Sequence, residues 1–274
     1  MSLDQKNPPA NGAGALGAPA PLAPEAMGLA AMGPVAMGPV AMGPVAMGPV
    51  MMAPELALMY LSSPALPIGA FHWSRGLEQA ALSGAVKDLS DLADYLTLAL
   101  NRGLGRFDLP LLALAFKAAC FRDYGTLSQL NDLSLAARES SEFGLEEVEG
   151  GKAVKRLAWS LGLWPEKLDP GFTPGLLVGQ ALLAVFLGLG PNDLAWVLNA
   201  FAFAWLQNQI SAAARTLKLG QSDLQALILA LCELIPGVSQ RAMTLPVEDL
   251  GPGLTGLAMF SAHHESQTGR LFRS

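Results

Sequence analysis

The stretch from Asn192 to Gln221, NDLAWVLNAFAFAWLQNQISAAARTLKLGQ, constrains the fold more than any other part of the chain. Its apolar residues recur at helical spacing on two opposite faces, so neither a surface helix nor a strand accounts for the pattern. One face carries Leu194, Val197, Leu198, Phe201 and Trp205, and the other carries Trp196, Ala200, Phe203, Ile210 and Leu217. A helix that is apolar on both faces needs neighbours on both. The stretch therefore predicts the central helix of an all-helical domain.

The beginning of the chain, residues 1–53, is a low-complexity segment rich in Pro, Ala, Gly and Met. The pentapeptide AMGPV occurs four times in tandem from Ala31 to Val50. Proline at every fifth position prevents both helix and ladder formation, and so short a period is not a solenoid unit. We predict a disordered arm, with docking through its Met side chains as the less favoured alternative.

The body, residues 54–260, consists of apolar stretches with helical periodicity that Gly and Pro separate. Residues 88–102 and 108–122 are two such stretches, and Gly103 is expected to end the first helix. No run alternates with period two for long enough to predict a strand. The pattern indicates a single all-α helical-bundle domain of roughly eight to ten helices.

The most polar part of the body is the region of residues 139–161. It carries an acidic half and a basic half on either side of Gly150-Gly151, which predicts an exposed helix that is broken or bent at the glycines. Its acidic residues Glu146, Glu147 and Glu149 resemble paired carboxylates, but a solvated helical face is the favoured interpretation.

The charge and cysteine content exclude some classes of protein. A net charge of -6 and a pI near 5.1 leave no basic stripe for phosphate neutralisation, which argues against a nucleic-acid partner. Cys120 and Cys232 lie in apolar helical contexts with no partner at metal-ligand spacing. We expect two reduced core cysteines in a cytoplasmic protein.

A membrane-associated helical protein is one alternative to a helical bundle in water. The segments Leu176 to Leu189 and Leu194 to Leu206 are apolar enough to form a hairpin in lipid. The first is short for a bilayer crossing and contains Gln180, which favours a buried core helix. We therefore expect no membrane partner.

Motifs for catalysis do not occur in the sequence. It contains no phosphate-binding glycine loop, nucleophile elbow or zinc-protease motif. The strongest metal candidate is the run His263-His264-Glu265, since imidazole and carboxylate suit nickel or zinc. Adjacent residues on a helix point about 100° apart, so a site would need a second chain, and surface or interface histidines are favoured. We expect no stably bound cofactor.

Three segments of the chain resemble one family. Leu61 to Glu78, LSSPALPIGAFHWSRGLE, resembles the opening pattern SPxLPxGxFxxSxGLE of the UreF family of urease accessory proteins. Ser261 to Ser274, SAHHESQTGRLFRS, is similar to that family's HExxxxRLFRS ending. Between them, Lys218 to Gln225, KLGQSDLQ, resembles its LGQxxxQ segment. The three motifs occur in the family's order.

The resemblance implies an all-α, non-catalytic protein that dimerises and acts in nickel delivery to urease. The implied partners are UreD, called UreH in some organisms, the GTPase UreG and apo-urease, with GTP hydrolysis coupled to nickel insertion. The implied partner-binding residues are Pro67, Gly69, Phe71, Ser74, Gly76, Leu77, Glu78, His264, Glu265, Arg270, Leu271, Phe272, Arg273 and Ser274. Residues 261–274 correspond to a docking tail that orders on binding UreD. A nickel-binding chaperone that uses His263 and His264 directly is the other alternative.

The composition of the tail also favours protein docking. Arg270 and Arg273 flank Leu271 and Phe272, so a free end would carry two cations, an aliphatic anchor and an aromatic anchor. Phe272 is the first choice for an interface hot spot. A tail that folds back onto its own domain is the alternative.

Two further polar residues have open interpretations. Glu78 is either a surface or capping carboxylate or a contact to the GTPase. Arg215, on the central helix, reaches solvent, joins an internal polar network or contacts a partner.

Overall fold

The computed structural model describes residues 52–165, 167–251 and 254–273. Within these ranges all regular structure is helical and no strand occurs, which confirms the predicted all-α class. The α-helices are α1 (Pro54–Leu61), α2 (Leu77–Leu82), α3 (Leu89–Leu98), α4 (Leu109–Cys120), α5 (Tyr124–Ala136), α6 (Ser141–Ser160), α7 (Leu176–Phe186), α8 (Leu194–Thr216), α9 (Gln221–Cys232), α10 (Ile235–Ala242) and α11 (Thr255–His264). With α3 to α4 taken as one continuous helix and α9 with α10 as another, the described residues form nine helices.

The division of the chain into arm, body and tail stays a prediction. Apart from its last two residues, the arm predicted for residues 1–53 lies outside the described part of the chain. At the other end, α11 runs across the predicted boundary between residues 260 and 261, so the tail begins inside a helix.

The core lies between α4 and α7, with α6 and α8 packed against them. Every residue of α7 from Leu176 to Ala184 is buried, as expected for a core helix. The two cysteines, Cys120 and Cys232, are free and only partly buried, so they lie at the edge of the core instead of inside it. Burial raises the pKa of both thiols.

The central helix, α8, contacts α1, α2, α3, α4, α9 and α10. Leu194, Val197 and Leu198 are buried, as the pattern predicts. Trp196 on the opposite face is 62% exposed, so the prediction that both faces are covered is wrong at the start of the helix. The exposed tryptophan does not remove α8 from the core, because six α-helices contact this helix along its length.

The helix that begins at α3 does not end at Gly103. A π-helix, Ala99–Asp108, continues α3 directly into α4, so the predicted stop is wrong. A Cβ atom on Gly105 would lie 2.6 Å from Cγ1 of Val238 on α10. The absence of a side chain at Gly105 therefore allows α10 to approach the π-helix closely.

Helix α6 is continuous from Ser141 to Ser160, so the predicted break at Gly150-Gly151 is wrong. Both glycines are buried in the contact with α7. A Cβ atom on Gly151 would clash with the carbonyl oxygen of Pro174 and lie 2.6 Å from the carbonyl carbon of Gly175. These glycines allow two backbones to approach, and the helix passes through them without interruption.

One helical stretch, Gln221–Ala242, is long and apolar enough to cross a membrane by length and composition alone. It consists of α9 and α10. A single stretch of this kind is weak evidence for a membrane span, because core helices of soluble proteins pass the same test. The first half of the alternative hairpin in lipid is α7, which has 11 residues and packs against α4 and α6.

Candidate partner-docking site

The opening segment, residues 61–78, contains a tight turn immediately before α2, whose first two residues end the segment. Two successive residues of this turn have positive φ, Arg75 at 50° and Gly76 at 83°. A Cβ atom on Gly76 would lie 3.1 Å from Cβ of Phe260 on α11. Glycine therefore meets two needs here, the left-handed backbone and the close approach of α11. The result is that α11 packs beside α2, which carries Glu78.

The carboxylate of Glu78 joins the opening segment to the tail. The backbone N–H groups of Leu271 and Phe272 donate to it at 2.8 Å and 3.0 Å. The side-chain amide of Gln267 donates at 2.9 Å, and Nε2 of His264 lies at 3.0 Å. Burial acts to raise the pKa of Glu78, but these hydrogen bonds outweigh it and hold the pKa below its ordinary value. Glu78 is only 5% exposed, so its interpretation as a surface carboxylate is wrong.

His264 is fully buried between two carboxylates. Its Nε2 faces Glu78, and its Nδ1 lies 2.9 Å from Oε1 of Glu142. An imidazolium ring donates from both nitrogens, so that form satisfies both carboxylates at once. The guanidinium of Arg270 also pairs with Glu142, at 3.2 Å. The interpretation of His264 as a surface histidine is therefore wrong.

The neighbouring histidine, His263, is exposed. The two imidazoles therefore point to different environments, and both ring nitrogens of His264 already face carboxylates. Among the residues with described positions, no group of three or more His, Cys, Asp or Glu side chains is arranged to hold a metal ion. This geometry gives no support to a metal site formed by His263 and His264 together.

The tail lies on the body of the protein instead of forming a free end. Phe272 is 7% exposed and belongs to the apolar core, and the backbone N–H of Arg273 donates to the carbonyl oxygen of His72 at 2.8 Å. Leu271 is 65% exposed. The alternative that the tail folds back onto its own domain thus describes the structure, and a partner-binding role for Phe272 stays a prediction.

Arg215 is exposed at the end of α8, and its guanidinium lies over the ring of Phe272, 5.7 Å from the ring centre. Cation–π contacts of this kind hold an aromatic ring in place as well as the cation. The side chain of Asn208, also on α8, donates to the carbonyl oxygen of Trp73 at 2.9 Å. The central helix thus supports both the tail and the opening segment.

Helix α11 is fixed to the start of α6. The Oγ atoms of Ser140 and Ser261 lie 2.7 Å apart. Glu265 accepts a hydrogen bond from the backbone N–H of Ser141 at 3.0 Å, so it satisfies a free donor of the first turn of α6. Glu265 therefore has a structural partner inside this chain.

A buried network of charges lies beside the junction of the opening segment and the tail. Arg75 pairs with Asp108 and with Glu146, each at 2.8 Å, and Arg138 pairs with Asp108 at 2.8 Å and with Glu147 at 2.6 Å. Burial raises the pKa of Glu146, while for Asp108 the two arginines outweigh burial and lower the pKa. The predicted solvated face is wrong for Glu146 and Glu147.

Glu147 has two further partners. The hydroxyl of Ser134 donates to it at 2.6 Å, and the backbone N–H of Leu177 donates at 3.0 Å, which caps the start of α7. Glu149 is partly exposed and pairs with Lys152 at 2.9 Å, as a surface residue does. The acidic run therefore has a buried side, and that side holds α6 to α7.

The structure brings most of the predicted partner-binding residues together. Those at the junction of the opening segment and the tail are Ser74, Gly76, Leu77, Glu78, Arg215, His264, Glu265, Arg270, Leu271, Phe272 and Arg273. Pro67 and Gly69 precede a short 3-10 helix, Ala70–His72, which contains Phe71, and Phe71 is 47% exposed. Ser274 lies outside the described residues.

No sequence pattern indicates that Glu142 belongs to the site. An acidic residue in the first turn after the N-cap Ser140 is ordinary for a helix, because it opposes the helix dipole. Only the tertiary contact with His264 and Arg270 distinguishes it.

Comparison with known proteins agrees with the sequence motifs. The family model described as UreF matches residues 86–232. The urease accessory protein UreF of Chromohalobacter salexigens is 42% identical over 217 residues, which cover 79% of this chain and 93% of the relative. UreF of Teredinibacter turnerae is 38% identical over 219 residues, 80% of this chain and 98% of the relative. UreF of Marinobacter nauticus is 39% identical over 219 residues, which cover 80% of this chain and 94% of the relative. The chain belongs to the UreF family of urease accessory proteins.

Proposed function

We propose that this chain bridges UreD (UreH) and the GTPase UreG in the nickel-insertion complex and regulates GTP-dependent nickel delivery to apo-urease. In this proposal it is a cytoplasmic homodimer that catalyses no reaction itself and binds no cofactor stably. Neither nucleic acid nor a membrane is a partner. Nickel is cargo that the assembled complex handles.

The observation that carries the proposal is the meeting of two distant segments at one carboxylate. Glu78 belongs to the opening motif, and Leu271 and Phe272 belong to the tail motif, yet all three are joined by hydrogen bonds. The opening segment and the tail thus form one composite surface. A partner that binds this surface contacts both segments at the same time. This arrangement favours one docking surface made of both segments over two separate binding sites, one on each segment.

The outward side of this surface has the chemistry of a protein interface. Leu271 and Phe71 are exposed apolar side chains, and Arg270 and Arg273 are exposed cations. Arginine and large apolar residues dominate the binding energy of many interfaces. Phe272 points inward, so we assign it the role of holding the tail in place, and we assign direct contact to Leu271.

Regulation of a GTPase requires positioning more than chemistry. Phosphoryl transfer is accelerated largely by the orientation of groups around the phosphate, and a partner protein can supply this orientation. The rigid junction of α2, α11 and α6 provides a fixed platform, because its buried polar groups are held by hydrogen bonds. Such a platform suits a protein that holds several others in register.

The test is capture of both partners during co-expression with the UreD-like and UreG-like proteins of the same operon. We expect Leu271→Ala to weaken capture by about tenfold or more, as for a contact worth about 2 kcal/mol. Leu229→Ala is the matched control, since Leu229 is 70% exposed on α9, away from the junction. Undiminished capture by Leu271→Ala, or normal urease maturation in cells that lack this chain, would contradict the proposal.

A further inference from the structure

Three arginines line an open cleft of about 640 Å³ between the π-helix and α10. They are Arg102 and Arg106 on the π-helix and Arg241 on α10, and all three are exposed. None of them belongs to the junction of the opening segment and the tail. The cleft is therefore a separate feature, which the docking function does not explain.

The backbone brings the three cations together. Arg102 and Arg106 are four residues apart, about one turn along the π-helix. Gly105, which lies between them, lets α10 approach until a Cβ atom would be 2.6 Å from Val238, and this approach brings Arg241 to the same cleft. π-helical turns are rare and occur often at functional sites.

Two of the guanidinium groups are already held in place. Arg241 donates to the side-chain oxygen of Asn101 at 2.8 Å, and Arg106 donates to the backbone carbonyl oxygen of Asp249 at 3.3 Å. Both acceptors are neutral. In the described part of the chain, none of the three arginines lies within 4.0 Å of a carboxylate oxygen. The three positive charges of the cleft thus form no ion pair within the described residues, in a chain of net charge -6.

We propose that this cleft binds a small anion with more than one oxyanion group, a polycarboxylate or a polyphosphate. A guanidinium pairs with carboxylate or phosphate through two parallel hydrogen bonds, and orienting it beforehand lowers the cost of binding. A multivalent anion would also remove the repulsion among Arg102, Arg106 and Arg241. The proposal goes beyond the bridging function and does not depend on it.

The test is isothermal titration of the full chain with citrate and, separately, with pyrophosphate at about 0.15 M ionic strength, where surface attraction is screened beyond about 8 Å. We expect saturable binding at one site, and the anion that binds more tightly identifies the carboxylate or the phosphate class. The double variant Arg102→Gln/Arg241→Gln should bind at least tenfold more weakly. The matched control is Lys152→Gln/Arg156→Gln, which removes two exposed cations of α6 and should bind as the wild type does.

Three results would overturn the proposal. They are no saturable binding of either anion, equal weakening in the α6 control, and, in a parallel titration with an aspartate-rich peptide, binding of the peptide alone, which would make the cleft a protein-docking surface. The melting temperature gives a readout without ligand. At low salt the Arg102→Gln variant should have the same melting temperature as the wild type or a higher one, because it relieves the repulsion among the arginines. A clearly lower melting temperature would contradict the premise that the three arginines repel one another.

Discussion

Oε2 of Glu78 accepts a hydrogen bond from the backbone N–H of Phe272 at 3.0 Å, although 194 residues separate them in sequence. Oε1 of the same carboxylate accepts from Leu271. The opening motif and the tail motif of the family therefore share one side chain. The composite surface exists only while the tail lies on the body, so the strength of the contact at Glu78 sets how often that surface is present.

The first prediction concerns the Glu78→Gln variant. An amide has one acceptor oxygen, so its NH2 group would replace either Oε1, which accepts from Leu271, or Oε2, which accepts from Phe272, and at least one buried donor loses its partner. We expect a loss of about 2–4 kcal/mol in the free energy that holds the tail on the body. Hydrogen exchange should show faster exchange at Leu271 and Phe272. Glu233→Gln, at an exposed position on the loop after α9, should leave that exchange unchanged.

The second prediction is that acid releases the tail. The pKa of Glu78 in the folded protein lies below the ordinary value of 4.5. Its stabilising contribution is therefore complete above about pH 4.5 and is lost as the pH falls through the folded-state pKa. The pKa of Glu146 is raised, so its contribution to the free energy of unfolding changes with pH in the opposite direction to that of Glu78. Global unfolding is therefore a poor measure of the contact between Glu78 and the tail. The amide resonances of Leu271 and Phe272 should shift together below pH 4.5, and a transition centred above that value would contradict the assignment to Glu78.

The third prediction separates the two adjacent histidines. His264→Ala leaves the buried carboxylates of Glu78 and Glu142 facing each other without the ring between them, which should cost about 3–5 kcal/mol of unfolding free energy. His263→Ala removes an exposed side chain and should change it by less than about 0.5 kcal/mol. Urea unfolding of both variants measures the difference. Equal, small effects would show that His264 is not a structural residue.

Much of the fold follows from local pattern. The start of the core helix α7 at Leu176 can be predicted because an apolar run bounded by Gly and Pro depends only on residues within a few positions of each other. Gly103, Gly150 and Gly151 were expected to interrupt helices, and all three lie inside continuous ones. A glycine such as Gly151, which a close neighbouring backbone requires, looks the same in sequence as a glycine that ends a helix, since the neighbour comes from elsewhere in the chain.

The candidate site could be predicted only in part for a similar reason. The motifs identify Glu78 and Phe272, but burial decides that Glu78 is an internal acceptor and that Phe272 points inward. Glu146 and Glu147 read as a solvated face because charged residues are rarely buried without partners, and the partners, Arg75 and Arg138, are not adjacent in sequence. Long-range ion pairs carry no local signal.

The last prediction compares two glycines of the same helix, α6. A Cβ atom on Gly151 would clash with the carbonyl oxygen of Pro174 and lie 2.6 Å from Gly175, where rigid backbone cannot yield, so Gly151→Ala should lower the unfolding free energy by about 3 kcal/mol or more. At Gly144 the nearest atom to an added Cβ is Cβ of Arg138, at 4.0 Å, which is ordinary contact. Gly144→Ala should therefore raise the free energy by about 0.5–1 kcal/mol through helix propensity. Thermal and urea unfolding of both variants test the pair. A Gly151→Ala protein as stable as Gly144→Ala would mean that α6 and α7 do not approach as closely as this contact requires.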